Sequence, residues 1–487
     1  MRLPSVALIL LAALAGCSVG PAYRRPQVVA PAAWKTDPAD AYWRPISPAH
    51  APLEPDWWRS FADPQLDALE QQALADNQTL RVASAHYDQA VAALAAASAA
   101  LAPEVGLAAS VARAKISADR PQLNYAVPSQ STVQNDIRLG VSINYELDLF
   151  GRIRLAADAA GASAQQAADD LVNARLILTA DLATAYVALR ELDAESDVLK
   201  RSVALQEKAL DYVTARHELG AVSGLDLLQQ QAQLDATRIE AQLLLNRRAQ
   251  YEHAIAALTG QPAPLFSLAP RLQTLNAPTL PLGVPSELLQ RRPDIASAER
   301  AMAAANARIG VARTAYFPSL TLAPNIGWEA TRFADMLSAP ALAWSVGGAA
   351  AELLFDGGRR TARVDFSRAD YVAAEARYRQ TVLDAFQQVQ DGVTGLALLD
   401  GALRQAHAAV ADAQRLLDFA NDRYGGGLAA FIDVISAQQR LLDSERKEVQ
   451  IRGQQIALVV FLAKALGGGW NDPQLPQPEP APVERDS

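Results

Sequence analysis

Residue types that could carry out chemistry are scarce in this chain of 487 residues. Its five histidines are scattered, with no HExxH or comparable pair to hold a metal. Its one cysteine, Cys17, has no second thiol to join it in a disulfide or a zinc site. No acid pair and no nucleophile motif stands out. The formal charge of −9 argues against nucleic acid as a partner. An enzyme is therefore the class the sequence supports least, and no cofactor is implied. What chemistry remains lies in the lone thiol and in two aspartates, Asp226 and Asp433.

Cys17 closes the run "VALILLAALAG", apolar and small residues behind a single positive charge at Arg2. That layout is an export signal with its cleavage site, and it is shorter than the roughly 20 apolar residues of a spanning helix. Leu14-Ala15-Gly16-Cys17 resembles a bacterial lipobox. The resemblance implies that Cys17 takes a diacylglyceryl group and becomes the N-terminus once residues 1–16 are removed. With Ser18 next, it implies sorting to the outer membrane. The alternative is an ordinary secretory signal with an incidental cysteine. Acyl chains hold a protein at a lipid surface with about 0.8 kcal/mol per buried CH₂.

The two aspartates belong to a long internal repeat. Placing Pro103 on Pro318 also places Leu80 on Ile295 and Leu107 on Leu322. "LFGRIR" from Leu149 matches "LFDGGR" from Leu354. Later, Arg216, Gly220, Asp226 and Leu234 fall on Arg423, Gly427, Asp433 and Leu441. Each copy reads helix, strand, strand, long helix, turn, helix. A helix is expected from Pro64 to about Ala102, where the proline suits a first turn. A proline-free stretch from Leu155 to about Leu219 predicts a helix of about 65 residues, roughly 97 Å long. A returning helix is expected over Leu225–Leu258, ending at Gly260. The second copy predicts a helix in "RPDIASAERAMAAANARIGVARTAYF", a long one from about Arg360 to Tyr424 and a last one from about Phe431 to Leu466. Helices this long cannot wrap a compact core; they imply coiled coils or a larger helical assembly. A solitary extended coiled coil is the plainer alternative.

The segments between the helices oppose that alternative. In "DIRLGVSINYELDLF" from Asp136, Ile137, Leu139, Val141, Ile143, Tyr145, Leu147 and Leu149 alternate with Arg138, Gly140, Ser142, Asn144, Glu146 and Asp148. Strict period-two alternation gives a strand with one apolar and one polar face. "VGLAASVARAK" alternates more weakly, "SLTLAPNIGWEATRF" alternates through Leu320, Leu322, Ile326 and Trp328, and "ALAWSVGGAAAELLF" is less regular. Mean hydropathy is only +0.01, and after the signal no run of about 18 apolar residues suggests a spanning helix. Alternating strands of about 9–11 residues suit a membrane barrel. Four strands cannot close one alone, and an open edge in lipid costs several kcal/mol per unpaired group. The chain must then oligomerise, unless the strands form a soluble sheet resting on helices.

The stretch "RRPDIASAERAMAAANARIGVARTAYFPSLTL", with "LDLFGRIR", "LLFDGG" and the Pro-rich start "CSVGPAYRRP", resembles the lipoprotein branch of the outer-membrane factor, or TolC-like, family. The resemblance covers Leu14 to about Trp470. It implies an α+β membrane channel: a twofold repeat of long coiled-coil helices and four transmembrane strands per chain. It implies a homotrimer whose twelve strands close a β-barrel on a helical α-barrel. It implies a passive exit duct, without cofactor, for drugs or other small toxic compounds. Its partners would be outer-membrane lipid, a periplasmic adaptor and an inner-membrane pump, often of the resistance–nodulation–division class.

The turns at Gly220 and Gly427 lie farthest along the chain from the strands and would ring the periplasmic mouth. Asp226 and Asp433 start the returning helices, where a carboxylate suits the positive helix end by about 0.3–1 kcal/mol. In a trimer such an acid recurs around one axis, and carboxylate rings favour cations. The resemblance implies that Asp433 lines the closed entrance, with Asp226 a weaker candidate. It also matches Tyr424 to a tyrosine that helps hold the entrance shut, although Ala429 stands where those relatives carry an arginine. An apolar closure by Leu225, Leu428 or Ile432 is the alternative. Adaptor docking would use Gly220 and Gly427 with Arg216 and Arg423, whose charges could equally serve the helix C-termini.

The expected organisation is thus signal peptide 1–16, lipidated extended strap 17–57, first repeat 58–260, linker 261–285, second repeat 286–469 and tail 470–487. Rival readings are a protein-secretion channel of the same fold serving an ABC-type exporter, and a soluble periplasmic coiled-coil scaffold.

Overall fold

The computed structural model describes residues 19–31, 33–35, 54–117, 132–272, 275, 277–278 and 291–470. The signal, Cys17, much of the linker and all but the first residue of the expected tail lie outside the described residues. The helices are α1 (Pro64–Asp76), α2 (Gln78–Ala99), α3 (Arg152–Glu218), α4 (Gly224–Leu258), α5 (Pro293–Thr314), α6 (Arg359–Gly425) and α7 (Phe431–Ala465). The strands are β1 (Glu104–Ile116), β2 (Thr132–Glu146), β3 (Ser319–Leu322), β4 (Asn325–Ala330), β5 (Leu342–Ser345) and β6 (Gly348–Ala351).

The repeat appears as equal lengths. The long helices α3 and α6 have 67 residues each, the returning helices α4 and α7 have 35, and α2 and α5 have 22. One expectation needs correction. The helix from Pro64 does not run unbroken to Ala102, because Asn77 takes an extended conformation (ψ 125°) and starts a new helix. Its Oδ1 accepts from the Leu80 amide at 2.9 Å, a side-chain cap that ends one helix and begins the next.

The chain forms two compact units. One comprises residues 1–26, 87–166 and 298–377, the other 27–86, 167–297 and 378–487. The first contains the antiparallel sheet. β1 pairs with β2, β2 with β3 and β4, and these with β6 and β5. Four strand lines were expected, and two of them are interrupted, at Ala323-Pro324 and Val346-Gly347. Pro324 has no N–H to donate, yet its carbonyl accepts from the Ile143 amide at 2.9 Å. The register carries straight through, with Tyr145 opposite Leu322 and Ser142 opposite Asn325.

That register gathers like residues into rows. Leu107, Val141, Ile326 and Trp344 stand side by side across the sheet, as do Ala109, Leu139, Trp328 and Leu342. The intervening rows are Gly106, Ser142, Asn325, Ser345 and Ala108, Gly140, Gly327, Ala343. Next to these, Arg138 bridges Asp136 and Glu329 at 2.8 and 3.1 Å. Successive residues face opposite ways, so one face is apolar and the other polar. Leu107 and Trp344 are 75% and 70% exposed, a solvent exposure that lipid would remove.

The second unit is helical. Each returning helix ends against the start of a shorter one. Asn77 Nδ2 donates to the Leu258 carbonyl at 2.9 Å, joining α4 to α2, and Arg292 donates to the Ala465 carbonyl at 3.1 Å, joining α7 to α5. Glycines permit both junctions: a Cβ on Gly260 would collide with the Asp76 backbone, and one on Gly467 with the Arg291 carbonyl. A buried ionic hub at Asp193 accepts from Arg190, from Arg248 at 2.7 Å and from the Arg271 amide at 3.1 Å. It ties α3, α4 and the following segment together. In α3, one window is apolar and long enough to cross a bilayer by composition, and half of it is buried within the protein.

Candidate gate and docking turns

The two helical turns share one backbone. Gly220 and Gly427 both have φ of 73°, a left-handed conformation glycine adopts without steric cost. The Gly220 amide donates to the His217 carbonyl and the Ala221 amide to Arg216, both at 2.8 Å. In the second turn Gly427 donates to Tyr424 at 3.0 Å and Leu428 to Arg423 at 2.8 Å. This is the Schellman arrangement, which satisfies the carbonyls left open at a helix C-terminus.

The helices that follow begin differently. Ser223 caps α4 in a reciprocal box: its Oγ accepts from the Asp226 amide at 3.3 Å, and Asp226 Oδ2 accepts from the Ser223 amide at 3.2 Å. Ser223 Oγ also donates to Asp226 at 2.9 Å. Asp226 is thereby engaged within its own turn. At the matched place in the second turn the cap is Ala430, which offers no side-chain bond. Asp433 is exposed, and its carboxylate makes no hydrogen bond or ion pair among the described residues. It lines a groove of about 580 Å³ between α6 and α7 with Leu416, Phe419, Arg423, Ser436 and Arg440.

The arginines also differ. Arg423 donates to the Leu428 carbonyl at 3.2 Å and so closes its own turn. Arg216 instead lies 5.7 Å from the Tyr212 ring and 5.4 Å from the Tyr424 ring, and donates to the Tyr212 hydroxyl at 3.2 Å. It thus links α3 to α6. Tyr424 is half-buried and packs on Phe431 with ring centroids 5.1 Å apart. Its hydroxyl has no hydrogen-bond partner among the described residues. Desolvation raises its pKa, the Arg216 charge opposes that, and the Asp226 charge adds to it. Behind the turns lies a packed cluster of Val213, Leu417, Phe431, Val434 and Leu441. Leu225, Leu428 and Ile432 lie outside it, 64%, 72% and 44% exposed. Sequence reasoning missed the arginine–tyrosine sandwich, because Arg216 and Tyr424 lie in different repeats. The missing cap was visible in "LAAFID" against "VSGLD".

The family described as "Outer membrane efflux protein" matches residues 69–261 and 284–468, one match in each half. The chain belongs to the outer membrane efflux protein family. It is 32% identical over 415 residues to the pyoverdine export outer membrane protein OpmQ of Pseudomonas aeruginosa, covering 85% of this chain and 87% of that one. It is 31% identical over 459 residues to the antibiotic efflux pump outer membrane protein ArpC of Pseudomonas putida, covering 94% and 93%. Among solved structures, the outer-membrane channel OprN superposes with a TM-score of 0.85 at 31% identity, covering 93% of this chain and all of that one. The chain is accordingly an α+β outer-membrane efflux channel, an exit duct and not an enzyme.

Proposed function

We propose that three copies of this efflux channel close one duct, and that its periplasmic mouth is ringed by Asp433. The duct passively exports drugs or other small toxic compounds delivered by an inner-membrane pump of the resistance–nodulation–division type. A periplasmic adaptor docks at the turns, on backbone near Gly220 and Gly427 and on Arg216 and Arg423. Cys17 carries the lipid anchor. The observation that carries the gate is the contrast between the two acids. Asp226 is consumed in a capping box, whereas Asp433 stands exposed beside an Ala430 that cannot engage it. Repeated about a threefold axis, Asp433 gives a ring of carboxylates that attracts cations and repels anions.

The test is bilayer conductance of the purified protein, wild type against Asp433→Ala. Loss of cation preference is expected; unchanged conductance and unchanged selectivity would remove Asp433 from the gate. The exposure of Leu225, Leu428 and Ile432 favours a second reading, an apolar ring that closes by excluding water. In that case Leu428→Ser or Ile432→Ser would raise conductance and Asp433→Ala would not. For docking, cysteine cross-linking to the adaptor from positions beside Gly220 and Gly427 is expected, and its absence at both turns would exclude them.

A further inference from the structure

Within the helical unit a cavity of about 230 Å³ lies between α3, α7 and the segment that follows α4. Its walls are apolar. Val187 and Val198 of α3, Ile456 of α7 and Leu275 of the segment are buried, and Val449 of α7 packs on the cluster that holds Val198. Leu272 also lines the cavity and is 67% exposed, so one side meets solvent.

One polar group stands in that wall without a partner. The Glu191 carboxylate lies over Gly453, where a Cβ would overlap it, and both residues line the cavity. Glu191 makes no hydrogen bond or ion pair among the described residues. Burial first, and the charge of Glu195 second, raise its pKa to about 7, against an opposing pull from Arg247 of α4.

The other charges lining the cavity are already matched. Arg190 donates to Asp193, to Gln65 at 2.7 Å and to the Ala269 carbonyl at 3.1 Å. Arg201 bridges Asp197 and Glu445 at 3.0 and 3.4 Å. Arg452 reaches Glu448 at 3.2 Å, and His407 of α6 reaches the same carboxylate at 2.9 Å. Behind the wall, Glu195 is held by Arg446 at 2.8 Å. Among the described residues lining the cavity, Glu191 is the charge that no contact neutralises.

A charge withdrawn from water is costly unless it is paired. A cation entering the cavity would supply the pair, and an apolar remainder would cover the valine, leucine and isoleucine walls. The volume sets the size. It falls below the roughly 300–1,000 Å³ of pockets for drug-sized ligands, so one charged head on a short apolar body fits. We propose that this cavity binds a small organic cation, a protonated amine with an apolar body, whose ammonium pairs with the Glu191 carboxylate. The ligand touches α3 and α7 at once, so its binding fastens the two helices together and stabilises the unit by mass action. The site is separate from the turns and from Cys17, and it needs neither the gate nor the anchor.

The test uses the full-length protein in lipid nanodiscs, with empty nanodiscs as background. Two probes of one shape, 4-fluorobenzylamine and the neutral 4-fluorobenzyl alcohol, are titrated and read by fluorine NMR. At pH 8 the amine should bind at least about tenfold more tightly than the alcohol. Its affinity should fall at least about tenfold from pH 8 to pH 5.5, as Glu191 takes up a proton while the amine keeps its own. Glu191→Gln should abolish both differences and leave the alcohol unaffected. That variant removes an uncompensated charge, so a loss of binding would not come from a loss of fold. Ala194→Leu, which fills part of the cavity, should weaken both probes. His407→Asn should leave the pH dependence in place. An amine no better than the alcohol, full amine binding in Glu191→Gln, indifference to Ala194→Leu, or a pH dependence that vanishes with His407→Asn would each overturn the proposal.

Discussion

The first and second turns have the same glycine geometry and the same carbonyl acceptors, yet they leave their aspartates in opposite conditions. In the first, a serine at the cap binds the acid back into the helix start. In the second, an alanine at the cap leaves the acid exposed. The repeat supplies one frame twice, and a single side-chain difference at the cap sets whether the acid is engaged in its own turn. The same divergence recurs midway along the long helices. Glu191 of α3 packs over Gly453 of α7, whose missing Cβ makes the room, whereas Leu398 at the matched place in α6 is 69% exposed.

The largest expected effect probes that mid-helix difference. Desolvation, and then the nearby Glu195 charge, push Glu191 up to about 7. An acid whose folded pKa is raised binds more protons folded than unfolded, so stability falls as pH rises from about 4.5 to about 7 and stays lower above. Glu191→Gln should therefore raise thermal stability at pH 8 by about 1–2 kcal/mol, after allowance for solvent screening, and change little at pH 4. Equal gains at both pH values would show that ionisation is not the cause. Leu398→Gln should show no such pH dependence.

Next in size is an exchange of caps. Ser223→Ala should destabilise α4 by about 1 kcal/mol, and Ala430→Ser should stabilise α7 by about 0.5–1 kcal/mol, both read by denaturant titration. Ala430→Ser should also draw Asp433 into a box and weaken cation preference. A stabilised variant with unaltered selectivity would separate the cap from the gate. Asp433→Ala should lower cation preference roughly threefold, equivalent to about 0.6 kcal/mol for a permeating ion. Asp226→Ala should cost helix stability with little change in selectivity. The smallest effect belongs to the arginines: Arg216→Ala loses its tyrosine contacts, about 0.5–1 kcal/mol, while Arg423→Ala loses one exposed bond to a carbonyl. If the two proved equally costly, the sandwich would add nothing beyond a helix-end charge.

Much of this was legible in the sequence because the signals are local. Proline-free runs bounded by glycine gave the long helices, and strict alternation gave β2. The break at Asn77 was missed because "DNQ" inside an alanine-rich run reads as helix until the amide's second bond, to Leu258, is known. The interruptions at Pro324 and Val346-Gly347 carried their own warning in residue type, but not the fact that register survives them. The arginine sandwich joins residues from different repeats, and no spacing along the chain encodes it.

The sheet described above ends in two unpaired borders, the outer side of β1 and the outer side of β5 and β6, among the described residues. Water can satisfy those backbone groups before insertion, and hydrocarbon cannot. A freshly exported chain therefore has no stable single-copy destination in lipid. Its arrival in the bilayer is tied to meeting its neighbours, so the yield of functional ducts should rise more steeply than the supply of protein.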